Sequence, residues 1–172
     1  MTLPLAAALV LALQAPPAPP APPAPPAPPA KVAASIARLF GGEGGGGGVR
    51  VDTLRVDTVR VLRISRADSL LGFAAVGNVL GKDQPITFLV AIDPADRLKD
   101  VDILVYREPY GGEVAYEPWR RQFRGKSASD SLRVGREIRS VSGATISVHA
   151  VTLGVRRMLA DLTAWHRSGV IR

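Results

Sequence analysis

The most regular alternation of apolar and polar positions lies in the second half of the chain. Val148, Val151, Val155, Met158, Leu159, Leu162 and Trp165 recur at spacings of three and four, which predicts a long amphipathic helix. Thr145 or Ser147 is placed to cap its start, and Gly169 lies past its end. Upstream, Pro85–Ile92 (PITFLVAI) is continuously apolar and rich in β-branched residues, as a buried strand is. Asp93-Pro94-Ala95-Asp96 is a turn signal. In Leu98–Tyr106, Val101, Ile103 and Val105 alternate against Asp100, Asp102 and Leu104, which predicts a second strand antiparallel to the first. So tight a connection implies a meander rather than βαβ units.

The remaining segments read less sharply. Lys31–Phe40 places Val32, Ile36, Leu39 and Phe40 at helical spacing. Gly41–Gly48 holds seven glycines in eight residues and predicts a loop. Val49–Ile64 repeats RVDT at Arg50–Thr53 and Arg55–Thr58, with a period that fits a strand or a short helix capped by Asp57. Ser69–Leu80 carries an apolar run broken by Gly72 and Gly77. Tyr110-Gly111-Gly112 predicts a loop, Val114–Phe123 a short helix with Trp119 and Phe123 on one face, and Gly125–Gly135 mostly loop. The sum is α+β: a single domain with an antiparallel sheet and packed helices.

The first 30 of the 172 residues stand outside that domain. Residues 1–15 (MTLPLAAALVLALQA) hold an apolar run the length of a signal-peptide core and too short to span a bilayer. They predict export, or a weak anchor if the segment is retained. Residues 16–30 are five repeats of Pro-Pro-Ala, which fix a polyproline II spacer because proline locks φ and carries no N–H. The expected division is therefore 1–15 signal or anchor, 16–30 linker, 31–68 an N-terminal helix with its glycine loop and ambiguous segment, and 69–165 the main domain.

Composition narrows the chemistry. The chain has no cysteine, which excludes disulfides, thiolate metal sites and thiol nucleophiles. Two histidines, His149 and His166, make a histidine-rich metal centre a poor expectation. No nucleophile–base pair suggests a hydrolase. The net charge of +7 permits anionic partners, but the arginines are scattered and never interleave with aromatics as a single-strand groove requires, so no nucleic acid is expected.

Ser142-Gly143-Ala144-Thr145-Ile146-Ser147 stands immediately before the long helix. Physically it is a small-residue loop feeding a helix N-terminus, where unpaired N–H groups and the helix dipole favour an anion such as phosphate. Serine or threonine at that place is also the usual helix cap.

This SGATIS motif resembles the signature of the FMN-binding domain family, which includes flavin subunits of the sodium-pumping NADH:quinone reductase and the Rnf complex. The resemblance extends over Pro85–Val114 (PITFLVAIDPADRLKDVDILVYREPYGGEV), with its Glu108-x-x-Gly111-Gly112 loop, and over Trp119–Lys126 (WRRQFRGK). It implies a flavoprotein outside the cytoplasm, periplasmic or at the cell surface, with membrane association as a further option. Its FMN would be esterified through the phosphate to Thr145 by a flavin transferase. It further implies electron exchange with a membrane redox complex or another flavoprotein, with no catalytic residues beyond the flavin's own chemistry. The expected cofactor-binding residues are Thr145, Ser142, Gly143, Ala144, Ile146, Ser147, Glu108, Gly111 and Gly112. Tyr110, His149 and Lys126 are further candidates, each with a solvated or structural alternative. Trp119 and Phe123 are expected in the core, and His166 is expected to be solvated. The family places an aspartate three residues before the motif serine, where this chain has Arg139. An arginine there could instead pair with the flavin phosphate, so non-covalent FMN binding is one alternative. A flavin-free basic module that binds cell-envelope polymers is another.

Overall fold

The computed structural model describes residues 29–41 and 48–172. The signal or anchor, nearly all of the Pro-Ala spacer and most of the glycine run lie outside those residues. Five strands form one antiparallel sheet in chain order: β1 (Val49–Val56), β2 (Val59–Arg66), β3 (Ser69–Leu80), β4 (Pro85–Ile92) and β5 (Leu98–Val105). This is the expected α+β meander. Helix α1 (Pro29–Phe40) covers one face. A short helix α2 (Glu117–Arg120), flanked by single 3-10 turns, and the long helix α3 (Thr145–Arg167) cover the other.

Several elements refine the sequence reading. Pro29 and Ala30, expected in the spacer, form the first residues of α1; proline suits a first helical turn, where an N–H would have no partner anyway. The ambiguous RVDT repeat is the β1–β2 hairpin, turned at Asp57 with φ of 51°. The glycine-broken run is β3. Gly72 sits there at φ 146°, against a register shift at Ile64/Ser65, and its missing Cβ would fall on the Ile92 carbonyl. Only glycine fits there. The segment expected as one short helix over Val114–Phe123 is broken into a 3-10 turn, α2 and a second 3-10 turn.

Each sheet face has its own core. Ile36 and Phe40 of α1 pack with Leu62, Ile64, Leu89 and Leu104. On the opposite face Val148, Val151, Val155, Leu159 and Leu162 of α3 meet Phe73, Phe88, Val90 and Ile92. Trp119 and Phe123 are buried there in edge-to-face contact at 5.2 Å, in the core as expected. Two glycines let α3 approach the sheet closely. A Cβ on Gly154 would lie 2.5 Å from Val79 and 2.7 Å from Phe88, and one on Gly77 would lie 2.9 Å from Phe88.

β5 is an edge strand, and its free backbone is occupied. Gly125 N–H donates to Leu98 O, Leu98 N–H to Lys126 O, Arg120 to Val101 O and Lys31 to Leu104 O. Such cover removes a template for pairing with another chain. Asp100 is buried beside this edge and takes ion pairs from Arg38, Arg120 and Arg124 at 3.3, 3.6 and 3.1 Å. Asp102 adds pairs to Arg38 and Arg120, and accepts from Ser35. One carboxylate pair thus ties α1, β5 and α2 together.

The far end of α3 is anchored at the β4–β5 turn. Asp96, buried and at φ 60°, accepts from His166 Nδ1 at 2.7 Å and from Arg167 Nε at 2.9 Å. His166 is therefore not solvated as expected; it is half-buried, packed 5.0 Å from the Phe73 ring. Burial pushes the Asp96 pKa up, but the hydrogen bonds from His166 and Arg167 outweigh it and hold the carboxyl below its ordinary value.

Two outcomes follow. Gly154→Val should cost about 1–3 kcal/mol through overpacking, read as a lower denaturant midpoint at unchanged m. Because the folded-state pKa of Asp96 is depressed, its stabilisation is complete above the ordinary carboxylate pKa of about 4 and is lost as pH falls through the lowered value. Asp96→Asn should therefore flatten the fall in unfolding midpoint below about pH 4, in a pH series of denaturant titrations.

Candidate functional site

The SGATIS motif forms the turn into α3. Ser142 and Gly143 make the turn, with Gly143 at φ 80° and no atom within 4 Å of where a Cβ would stand. Ala144 is the N-cap residue, buried, with no side-chain capping hydrogen bond. This departs from the expectation that Thr145 or Ser147 caps the helix. Thr145 is instead the first helical residue, one position too late to cap, and its side chain is exposed. Ser147 turns inward and bonds Tyr106. The backbone N–H groups of Thr145, Ile146 and Ser147 consequently have no hydrogen-bond partner among the described residues. A helix of 23 residues thus presents three unpaired donors and the positive end of its dipole beside an exposed hydroxyl.

The glycine loop is brought to this helix end. Tyr106, just past β5, sends its hydroxyl between the Tyr110 carbonyl, to which it donates, and Ser147 Oγ at 2.8 Å. Gly111, at φ 89°, is wedged into that junction. A Cβ there would lie 2.7 Å from Tyr106 Oη, 3.0 Å from Ser147 Oγ and 3.3 Å from Ala144 Cα. Burial raises the Tyr106 pKa, the Ser147 hydrogen bond lowers it in part, and the net shift is upward, so the phenol stays protonated as a donor. Tyr106 was not singled out in the sequence; its alternation with β5 and its place four residues before a glycine pair were the available signals.

The other candidates separate. Gly112 follows Gly111 and opens the 3-10 turn, with only Tyr106 ring atoms at 3.9 Å. Glu108 faces away: its Oε1 accepts from the N–H groups of Asp83 and Gln84 at 2.7 and 2.9 Å, closing the β3–β4 turn. The Gln84 N–H is the chief cause that holds the Glu108 carboxyl below its usual range. Its visible work is on a turn rather than on the motif. Ile146 and Tyr110 are exposed, at 52% and 82%. Lys126 pairs loosely with Glu137 at 3.9 Å. Arg139 is held by its backbone, which accepts from Trp119 Nε1 and donates to Gln122, while its guanidinium is exposed and forms no ion pair among the described residues. His149 stands one turn along α3 from Thr145, exposed, on the rim of an open groove of about 660 Å³.

This arrangement suits a phosphate ester. Donors without partners, open space at Gly143 and an exposed hydroxyl lie together at the start of α3, and no cluster of metal ligands accompanies them among the described residues. Gly111→Ala should cost about 1–3 kcal/mol through positive φ and crowding of Tyr106 and Ser147, whereas Gly112→Ala should lose far less; thermal unfolding of the two variants checks it.

Residues 81–160 match the model of the FMN-binding domain family, and FMN is the cofactor this match indicates. The matched stretch runs from the β3–β4 turn through β4, β5 and α2 into the last third of α3. No curated protein matches the chain significantly.

Proposed function

We propose that this FMN-binding domain carries its flavin as a phosphoester on Thr145 and serves as an electron carrier outside the cytoplasm. The observation that supports the reading most is the uncapped start of α3. Three N–H groups without partners among the described residues begin at Thr145, whose exposed hydroxyl sits on the same first helical turn. A phosphodiester retains one negative charge, which the helix terminus stabilises. When bound, FMN supplies the redox chemistry; the chain's own residues bind and orient it. Thr145 Oγ1 would attack the flavin-bearing phosphorus of a flavin phosphoanhydride and lose its proton; the anhydride P–O bond breaks and the second phosphate leaves with its nucleoside, so the chain gains FMN less one water. The Ser147–Tyr106–Gly111 junction fixes the helix start, and Gly143 leaves room for the phosphate oxygens.

The step needs a flavin phosphoanhydride as donor and an enzyme to transfer from it, so a flavin transferase is the first partner. A membrane redox complex or another flavoprotein is the second. Residues 1–15 and the Pro-Ala spacer suit an exported domain held away from a surface. The Glu108, Gly111 and Gly112 roles divide on this reading: Gly111 shapes the helix start, Gly112 opens the 3-10 turn beside it, and Glu108 supports the neighbouring turn.

Arg139 supports a second reading. Its exposed, unpaired guanidinium stands three residues before Ser142 and could hold the flavin phosphate non-covalently. Intact mass after export with a flavin transferase separates the two. The covalent reading expects a gain of FMN minus water on the Thr145 peptide, lost in Thr145→Val and increased in Arg139→Asp. An unmodified mass in a natively yellow protein, with Thr145→Val retaining all its bound flavin, would overturn it in favour of the arginine–phosphate reading.

A further inference from the structure

We propose that β1 pairs edge to edge with β1 of a second copy of this chain, about a two-fold axis at Val51. The two edges of the sheet differ. β5 is covered by bonds from or to Gly125, Lys126, Arg120 and Lys31. β1 has no such cover: among the described residues, no other strand or backbone group bonds its outer edge. It runs eight residues, Val49–Val56, without proline and without a register shift against β2. A long, regular, open edge is a template for another strand. β1 also lies outside residues 81–160, so the matched domain does not account for it.

The β1–β2 hairpin decides which groups that edge offers. Val56 and Val59 close a two-residue turn, so Val56, Leu54, Asp52 and Arg50 direct their N–H and C=O groups to β2. Those of Val49, Val51, Thr53 and Arg55 point outward. Two copies bond only through outward residues, which leaves few antiparallel registers. With Val51 opposite Val51 of the second copy, Val49 meets Thr53 and Arg50 meets Asp52, each twice by symmetry. The neighbouring register on one side sets Asp52 against Asp52, and on the other Arg50 against Arg50. Like charges directly opposite destabilise a strand pair and opposite charges stabilise it. The charges that would otherwise guard this edge therefore select one self-pairing.

The side chains agree with that register. Val49, Val51 and Thr53 stand on the face covered by α1, where they line an apolar groove of about 580 Å³ with Val32, Ile36 and Leu62. Val51 is 44% exposed. All three are β-branched, side chains that pack well across paired strands. Arg50 and Asp52 stand on the opposite face with Leu54 and Val56, 3.0 Å apart and exposed, free to exchange partners across the axis. A two-fold axis normal to the sheet keeps each face on its own side. The two apolar grooves then meet, and each Val51 is covered by its copy. In the resulting continuous sheet both α1 helices lie on one face and both α3 helices on the other, so both Pro29 ends leave on the same side.

The test uses the exported full chain, whose mass in solution is read by sedimentation up to about 200 μM, because a pairing of this size is weak. Wild type should be a concentration-dependent dimer. Arg50→Asp and Asp52→Arg each set like charges opposite and should each weaken dimerisation about tenfold or more. Mixing the two variants should restore it, because each supplies the charge that the other lacks. Both positions are exposed, so each variant should unfold near the wild-type midpoint. Amide exchange at Val51 and Thr53 should slow several-fold as the wild-type concentration rises. A wild type that stays monomeric throughout, as it would with the edge taken by its own upstream residues, overturns the proposal. So does a dimer indifferent to both charge reversals, a mixture that fails to pair although both variants fold, or exchange at Val51 and Thr53 that ignores concentration. If either variant fails to fold, that exchange alone decides.

Discussion

The position of α3 on the sheet governs everything that the site can do, and that position depends on two missing side chains. Gly154 and Gly77 let the helix settle onto Phe88 and Val79 at distances that a Cβ would forbid. The helix is then fixed at both ends by polar contacts, through Asp96 to His166 and Arg167 at one and through Tyr106 to Ser147 at the other. A helix held this firmly can leave its first turn uncapped. The three unpaired N–H groups at Thr145–Ser147 cost local stability, and the buried α3–sheet core offsets it. A site on such an end is better defined in space than one carried by a loop alone.

The excess of basic residues takes on a different meaning once their partners are known. Arg38, Arg120 and Arg124 converge on Asp100. Arg66 donates to the Phe40 and Gly41 carbonyls, Arg97 to Gly125, and Arg167 to Asp96. Much of the positive charge is thus engaged in joining elements, and it does not form one continuous basic face on this account. Arg133, Arg136, Arg139, Arg156 and Arg157 form a second set, with exposed side chains and no ion pairs among the described residues.

What could be read from the sequence depended on whether a segment's neighbours were local. β4 announces itself because it is buried along nearly its whole length, and α3 because one face is; β5 shows through its alternation, although Lys99 is exposed and Asp100 buried. β1 lies at a sheet edge and is half-exposed throughout, so its apolar positions carry no strong period. β3 is obscured by Gly72 and Gly77, whose purpose is contact with Ile92 and with Phe88, partners that no local pattern names. The same holds at the site. The SGATIS turn was legible as a motif, but a cap was expected where the chain instead puts Ala144, leaving Thr145 free. Glu108 looked like a companion of the glycine pair, yet its carboxylate is aimed at a turn 24 residues back in sequence. His166 acquires its partner only when the β4–β5 turn meets the end of α3.

The openness of the groove and the exposure of Thr145 fit together physically. An open groove on a helix surface buries only part of a ligand and so binds it weakly. A shallow seat also leaves the ring edge accessible, which a carrier exchanging electrons with separate partners requires. The proposed attachment through Thr145 would resolve the conflict, because the ring would then be held at a high effective concentration without needing affinity of its own. On the non-covalent alternative, the same shallow site would have to supply all of the affinity, and the guanidinium of Arg139 would be its strongest single contact with the phosphate.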